Sequence, residues 1–164
     1  MSIKTSFAPV VKPDIKVLVL GSLPGDRSLA EGRYYAHPQN QFWKLMSGVV
    51  GVDLPTLDYE ARLDALLGAG VGLWDVVGTA SRAGSTDAAI RDISANDLRS
   101  LIHSLPSLRA IGFNGGTALS IGQRQMGASD GSPALVALPS SSALHTIGLA
   151  AKQPAWDALR NYLG

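Results

Sequence analysis

The chain has 164 residues, no cysteine, 46% hydrophobic and 16% charged residues, and 18 glycines. This composition excludes a disordered chain, disulfides and thiolate nucleophiles or metal sites, and no apolar run reaches the roughly 18 residues of a membrane span. Fourteen Lys and Arg against thirteen Asp and Glu leave a formal charge of +1, so a nucleic-acid role must rest on a local basic face and on backbone donors.

A short polar arm, Met1 to Asp14, precedes the first clear element. Met1 to Pro13 holds no apolar stretch of signal-peptide length, which sets the expectation of a cytoplasmic protein. Ile15 to Leu20 reads IKVLVL and stops at Gly21, the pattern of a strand buried on both faces. Gln39 to Val50 carries Phe42, Leu45, Met46, Val49 and Val50 at helical spacing after a proline. Tyr59 to Leu67 predicts a second helix, Val71 to Val77 a strand, and Ser94 to Ser104 a helix capped by Ser94 or Asn96. Leu108 to Phe113 reads as a strand, Thr117 to Arg124 as a short helix, Ala134 to Leu138 as a strand, and Pro154 to Leu163 as a closing helix. Strands alternating with helices predict one α/β domain over 1–164, a three-layer α/β/α sandwich with a central, mainly parallel four-stranded sheet. Sites in such sheets form beyond the carboxyl ends of the strands. Gly21 to Asp26, Asp75 to Thr79, Asn114 to Gly116 and Pro139 to His145 are therefore expected along one edge.

Three segments there could carry chemistry. The first is Gly21-Ser22-Leu23-Pro24-Gly25, a tight turn whose N–H groups could face a ligand. It is neither a P-loop nor the three-glycine dinucleotide fingerprint. The second is Tyr34 to Trp43, where tyrosines offer flat faces for a base and Asn40 either holds a water or caps a helix. Phe42 and Trp43 read as core. The third is Leu138 to Thr146, whose serines offer donors for phosphate oxygens and whose Leu144 could act as an exposed wedge.

Together, G-S-L-P-G, then Y-Y-A-H-P-x-N-x-F-W, then G-L-W-D-V, then L-P-S-S-S resemble the uracil-DNA glycosylase superfamily over roughly Val17 to His145. The pattern is most similar to its hypoxanthine-DNA (deoxyinosine) glycosylase branch, near the mismatch-specific uracil glycosylases. The resemblance implies a DNA repair enzyme that everts a damaged nucleotide and hydrolyses its N-glycosidic bond, leaving an abasic site. It implies Gly21, Ser22, Leu23, Pro24 and Gly25 as one pocket wall, Tyr35 stacking on the base and Asp75 reading its edge. Asn114 belongs to the same expected substrate pocket. Ser141, Ser142 and Leu144 would press on the DNA, Leu144 filling the vacated stack. Arg27 and Lys152, with Arg33 and Arg82, could meet phosphates near that edge.

Two departures shape the expected mechanism. Leu23 stands where many relatives carry an Asn or Asp that positions water, so that duty passes to Asn40. Ser140 stands where uracil-cleaving relatives carry His or Asn to stabilise the departing base, so Ser140 or His145, with N–H groups of the first turn, is expected to do so. An ionised Asp75 accepts hydrogen bonds only, favouring the N1–H of hypoxanthine over the bare N1 of adenine; otherwise it caps a helix or pairs with Arg82. No cofactor and no metal are expected, since His37, His103 and His145 lack ligand spacing. The expected partner is DNA containing a deaminated base, bound by a monomer without a membrane role. Alternatives are a uracil or xanthine glycosylase of the same superfamily, a serine esterase using Ser22, or a non-catalytic nucleic-acid-binding module. The esterase would lack the G-x-S-x-G elbow.

Overall fold

The computed structural model describes residues 2–85, 87–127 and 132–164, so Met1 of the expected arm lies outside the described residues. In chain order the elements are β1 (Ser2–Thr5), β2 (Val17–Gly21), α1 (Asp26–Glu31), α2 (Phe42–Val50), α3 (Tyr59–Ala69), β3 (Val71–Asp75), β4 (Val77–Arg82), β5 (Arg91–Ala95), α4 (Leu98–His103), β6 (Ala110–Asn114), α5 (Gly116–Met126), β7 (Ala134–Leu138) and α6 (Leu149–Asp157). A 3-10 turn, Ala158–Tyr162, continues the last helix.

Strands β3-β2-β6-β7 pair in that order, all parallel. Every residue of the two central strands is buried, because helices cover both faces. Along β2 the side chains alternate, Val17 and Val19 entering one core and Leu18 and Leu20 the other. The first core packs Phe42, Leu45 and Met46 of α2, Leu66 of α3 and Trp156 of α6. The second packs Leu98 of α4, Ala118 of α5, and Val77 and Ala80 of β4. This is the expected α/β/α sandwich.

The differences from expectation have physical causes. The polar arm forms β1, which pairs antiparallel with β4, and β4 pairs antiparallel with β5 to make a second, three-stranded sheet. The run Val71 to Val77 splits after Asp75: Val76 N–H donates to Gly21 O and Val77 N–H to Ser22 O, which turns the chain out of the parallel sheet into β4. Ser94 is therefore a strand residue, not a cap. The α4 cap is Asp97, whose Oδ1 accepts from Ser100 N–H. Asn96 instead donates through Nδ2 to Asp75 O (2.7 Å) and Val77 O (3.2 Å), fixing the end of β3. The closing helix starts five residues early, at Leu149, with Pro154 inside it. Its anchor is Trp156, fully buried, with Nε1 donating to Pro139 O at 2.9 Å.

Helix α5 sits tightly on β6 at Gly122, where a Cβ would lie 2.2 Å from Phe113 Cε1. Gly122→Ala is expected to lower stability by about 1–3 kcal/mol. Gly68→Ala in α3, where a Cβ would meet nothing within 4 Å, is expected to raise stability by about 0.5–1 kcal/mol. Urea unfolding of both variants checks the pair, and a Gly122→Ala protein as stable as wild type would contradict this packing.

Candidate active site

The carboxyl ends of β2, β3, β6 and β7 bring Gly21, Asp75, Asn114 and Leu138 to one edge. A cleft of about 550 Å³ opens there, lined by the first turn, Tyr34, Tyr35, Asn40, Asp75, Asn114 and the loop Ser140 to His145.

Arg82 shapes the first turn from behind. Its guanidinium is fully buried and donates to the carbonyls of Leu23, Pro24 and Gly84. Across the trans Pro24–Gly25 peptide the N–H of Gly25 points opposite to the carbonyl held by Arg82. Arg82 is therefore a brace for the pocket wall, not the expected phosphate contact: no part of its side chain reaches the surface. Ser22 donates through Oγ to Asp87 Oδ1 at 2.7 Å. Its partner is thus a carboxylate rather than His145, so the Ser–His pairing expected of an esterase nucleophile is not formed. Gly21 has a steric reason: a Cβ there would lie 2.7 Å from Asp75 Oδ1 and 3.0 Å from the Tyr35 hydroxyl.

Tyr35 adopts φ 53°, in the left-handed region that non-glycine residues rarely occupy. Its ring lies 3.8 Å from that of Phe42, nearly parallel at 11°. Trp43 Nε1 donates to Tyr35 O at 3.2 Å, holding that backbone. One face of Tyr35 is thus taken by Phe42, and a base can stack only on the other. Burial, with Asp75 nearby, pushes the Tyr35 phenol up, so it remains protonated. Asn40 lines the cleft, and its Oδ1 accepts from Phe42 N–H at 3.0 Å. Gln41 is the N-cap of α2, so Asn40 is not the cap itself; its bond from the first helical N–H fixes the orientation of its amide at the cleft.

Asp75 is 4% exposed, and its Oδ2 has no hydrogen-bond partner among the described residues. Burial, then the charge of Asp87, pushes its carboxyl up to about 7, against the pull of Arg82. The expected pairing with Arg82 is thus no hydrogen-bonded ion pair, and an always-ionised Asp75 gives way to one that is partly protonated at neutral pH. Burial also pushes Asp87 up, opposed by its bond from Ser22 and by Arg82. Asp87 was not singled out in the sequence. It sits in a short 3-10 turn with no motif, and only the fold places it beside Asp75.

The serine loop divides its labour. Ser141 is 1% exposed; its N–H donates to Asn114 Oδ1 (2.8 Å), and its Oγ accepts from Asn114 Nδ2 (2.9 Å). The expected DNA contact at Ser141 is therefore corrected to an internal clamp. Asn114 also donates to the Tyr35 hydroxyl at 3.3 Å, so its amide holds the wall rather than offering itself to a ligand. Ser142 N–H donates to Ser140 Oγ and Leu144 N–H to Ser142 Oγ. These loop amides are thus engaged internally, and Ser140 and Ser142, which line the cleft, accept from them while keeping their own hydroxyl hydrogens to donate. Leu144 is 72% exposed, and His145 is also exposed. Lys152 is the clearest correction. It is fully buried, with Nζ donating to Gln41 Oε1 (2.8 Å) and Ser142 O (3.1 Å), so it meets no phosphate. Arg27 is exposed at the cleft, paired with Glu31 at 2.9 Å. Arg33, also exposed, lies over the Tyr59 ring.

Asp75 ionises near 3.8 when unfolded and near 7 when folded. Between those values the folded state holds the extra proton, so stability falls as pH rises from about 4 to about 7. Asp75→Asn is expected to be more stable than wild type above pH 7, on the order of a few kcal/mol, with the gain vanishing toward pH 4. Denaturant unfolding at about pH 5 and pH 8 checks this; equal stabilities at pH 8 would contradict the assigned burial.

The sequence profile of the Uracil DNA glycosylase superfamily matches residues 8–160. The Hypoxanthine DNA glycosylase of Methanosarcina barkeri is 41% identical over 112 residues, 68% of this chain and 71% of the relative. The protein of the same name from Methanosarcina acetivorans is 42% identical over 113 residues, 69% of this chain and 72% of the relative. A solution structure from Methanosarcina acetivorans, described as a candidate uracil DNA glycosylase, is similar with a TM-score of 0.85 at 36% identity, covering 99% of both chains. Motifs, sheet order and relatives agree: the chain belongs to the uracil DNA glycosylase superfamily, in its hypoxanthine-DNA glycosylase branch.

Proposed function

We propose that the protein hydrolyses the N-glycosidic bond of deoxyinosine in DNA, releasing hypoxanthine and leaving an abasic site. One observation carries the choice of an imino-bearing base over adenine: a buried Asp75 oxygen at the cleft, without a hydrogen-bond partner among the described residues. A buried acceptor is costly until a donor meets it. Hypoxanthine brings N1–H; adenine brings a bare nitrogen. Asp75 keeps an oxygen that accepts that hydrogen in either protonation state, and in its ionised form it repels the bare N1 of adenine. Uracil presents an imino N–H as well, and the choice of hypoxanthine over it rests on the two relatives named Hypoxanthine DNA glycosylase.

The everted base stacks on the face of Tyr35 opposite Phe42. As the bond to the sugar stretches, the anomeric carbon becomes cationic and needs a placed water more than a strong base. Asn40 holds that water with the free lone pair of Oδ1 and the hydrogens of Nδ2. The Gly25 N–H and the Ser140 hydroxyl lie where negative charge on the departing base can be met, with His145 at the rim. Leu144 enters the stack that the nucleotide leaves, and Arg27 and the Ser142 hydroxyl face the DNA backbone.

Asn40→Ala is expected to lower release from inosine-containing DNA by about 100-fold or more, with DNA affinity little changed. Alkali-sensitive cleavage of strands bearing inosine, uracil or xanthine checks both variant and substrate. Intact inosine strands with wild type, or an Asn40→Ala protein as fast as wild type, would overturn the reading.

A further inference from the structure

A departing purine spreads its negative charge over the ring system as far as O6, so a donor at O6 lowers the barrier. Several side chains that line the cleft have their donors engaged already. Both Asn114 Nδ2 hydrogens are engaged, by Ser141 Oγ and the Tyr35 hydroxyl. Ser22 Oγ donates to Asp87. Ser141 is buried within the loop clamp. Among these side chains Asp75 is the one with a buried polar atom, Oδ2, that has no partner among the described residues.

We propose, on the basis of the deoxyinosine reading above, that Asp75 acts as a neutral carboxylic acid, its carbonyl oxygen accepting N1–H and its O–H donating to O6 of the departing hypoxanthine. A protonated carboxyl presents one donor and one acceptor side by side. The N1–H and O6 edge presents the complement. An ionised carboxylate would set its second oxygen against O6 and weaken the match.

The groups facing Asp75 favour the proton. The nearby Asp87 opposes ionisation, and Tyr34 and Tyr35, both protonated, add no positive charge. Arg82 is the one cation among them, and its guanidinium is held by the carbonyls of Leu23, Pro24 and Gly84 rather than by Asp75. Burial and Asp87 together push Asp75 up to about 7, which leaves a large protonated fraction at neutral pH.

The step balances with water alone. The bond from the base N9 to C1′ breaks heterolytically, and its electron pair stays on the base. The water held by Asn40 bonds to C1′, and its proton reaches the base through solvent. Asp75 keeps its own proton throughout. The role also bears on the departure at Ser140: a serine hydroxyl is a weaker donor than the His or Asn of uracil-cleaving relatives, and β3 adds a second one.

The test is the pH dependence of single-turnover hypoxanthine release from inosine duplexes, from about pH 5.5 to 9. The wild-type rate is expected to be level at acid pH and to fall about tenfold per pH unit once Asp75 ionises. Asp75→Asn keeps a donor and an acceptor that do not titrate; it is expected to lose the alkaline fall and to exceed wild type by tenfold or more at pH 9. Asp75→Ala is expected to be slow at every pH. Asp87→Asn removes a negative neighbour, so its fall should begin at lower pH than in wild type, which gives a second reading should Asp75→Asn fold poorly. A wild-type rate that climbs with pH, or an Asp75→Asn protein that keeps the fall, would overturn the inference while leaving the substrate in place. No hypoxanthine release by wild type at any pH would instead overturn the substrate reading and this inference with it.

Discussion

The reciprocal pair of hydrogen bonds between Asn114 and Ser141 is the tie on which the cleft depends. Asn114 ends β6, and Ser141 lies in the loop after β7, so the pair locks that loop to the sheet. Ser141 O accepts from Gln41 N–H at 2.9 Å, which joins the same point to the residue beside Asn40. Lys152 reinforces the joint from beneath, bonding both Gln41 and Ser142. Three segments far apart in sequence thereby hold one geometry. Desolvation lowers the Lys152 pKa, and a buried cation is retained only where acceptors surround its head. Removing that ammonium would leave a carbonyl and an amide oxygen unsatisfied in the interior.

The opposite wall is held by a different device. Arg82 is buried beneath the first turn and takes carbonyls that a turn of this kind would otherwise offer to water. Around it the local rules are broken together: Asp75 keeps an oxygen with no partner among the described residues, Asp87 lies close enough to disfavour charge on Asp75, and Tyr35 adopts a left-handed backbone. Each costs stability, and their concentration at one cleft is the pattern of a working site rather than a scaffold. The stacked Tyr35 and Phe42 rings, with Trp43 and Trp156 edge-on to Phe42, supply the rigid backing that such strain requires.

What was legible in the sequence was whatever hydrophobic period and turn chemistry dictate locally. The IKVLVL run and Ala134 to Leu138 fall on strands, the first starting two residues later than read, at Val17–Gly21, because short continuous apolar runs favour a sheet. The first is buried throughout; the second, at the sheet edge, is mostly half-buried. The motif around Asn40 pointed to the cleft because the residue types themselves carry chemistry. The second sheet was not legible: Arg91–Ala95 is fully exposed and has neither strict alternation nor an apolar run. Its strand form comes from pairing with β4. Lys152 and Arg82 looked like surface cations, since nothing local distinguishes a snorkelling side chain from one enclosed by carbonyls. Ser141 was hidden among identical neighbours, and only the position of Asn114 singles it out. Asp87 is the instructive omission, because its importance lies wholly in its nearness to Asp75.

The central claim is that this cleft receives an everted deaminated base with its lactam edge on Asp75. A crystal structure with a duplex carrying a non-hydrolysable deoxyinosine analogue tests it most directly. The account predicts the base out of the helix, stacked on the free face of Tyr35, with N1 and O6 within hydrogen-bond reach of the Asp75 carboxyl, a water on Asn40 and Leu144 in the vacated stack. An inosine still paired in the duplex, or a base seated with its edge turned away from Asp75, would contradict it.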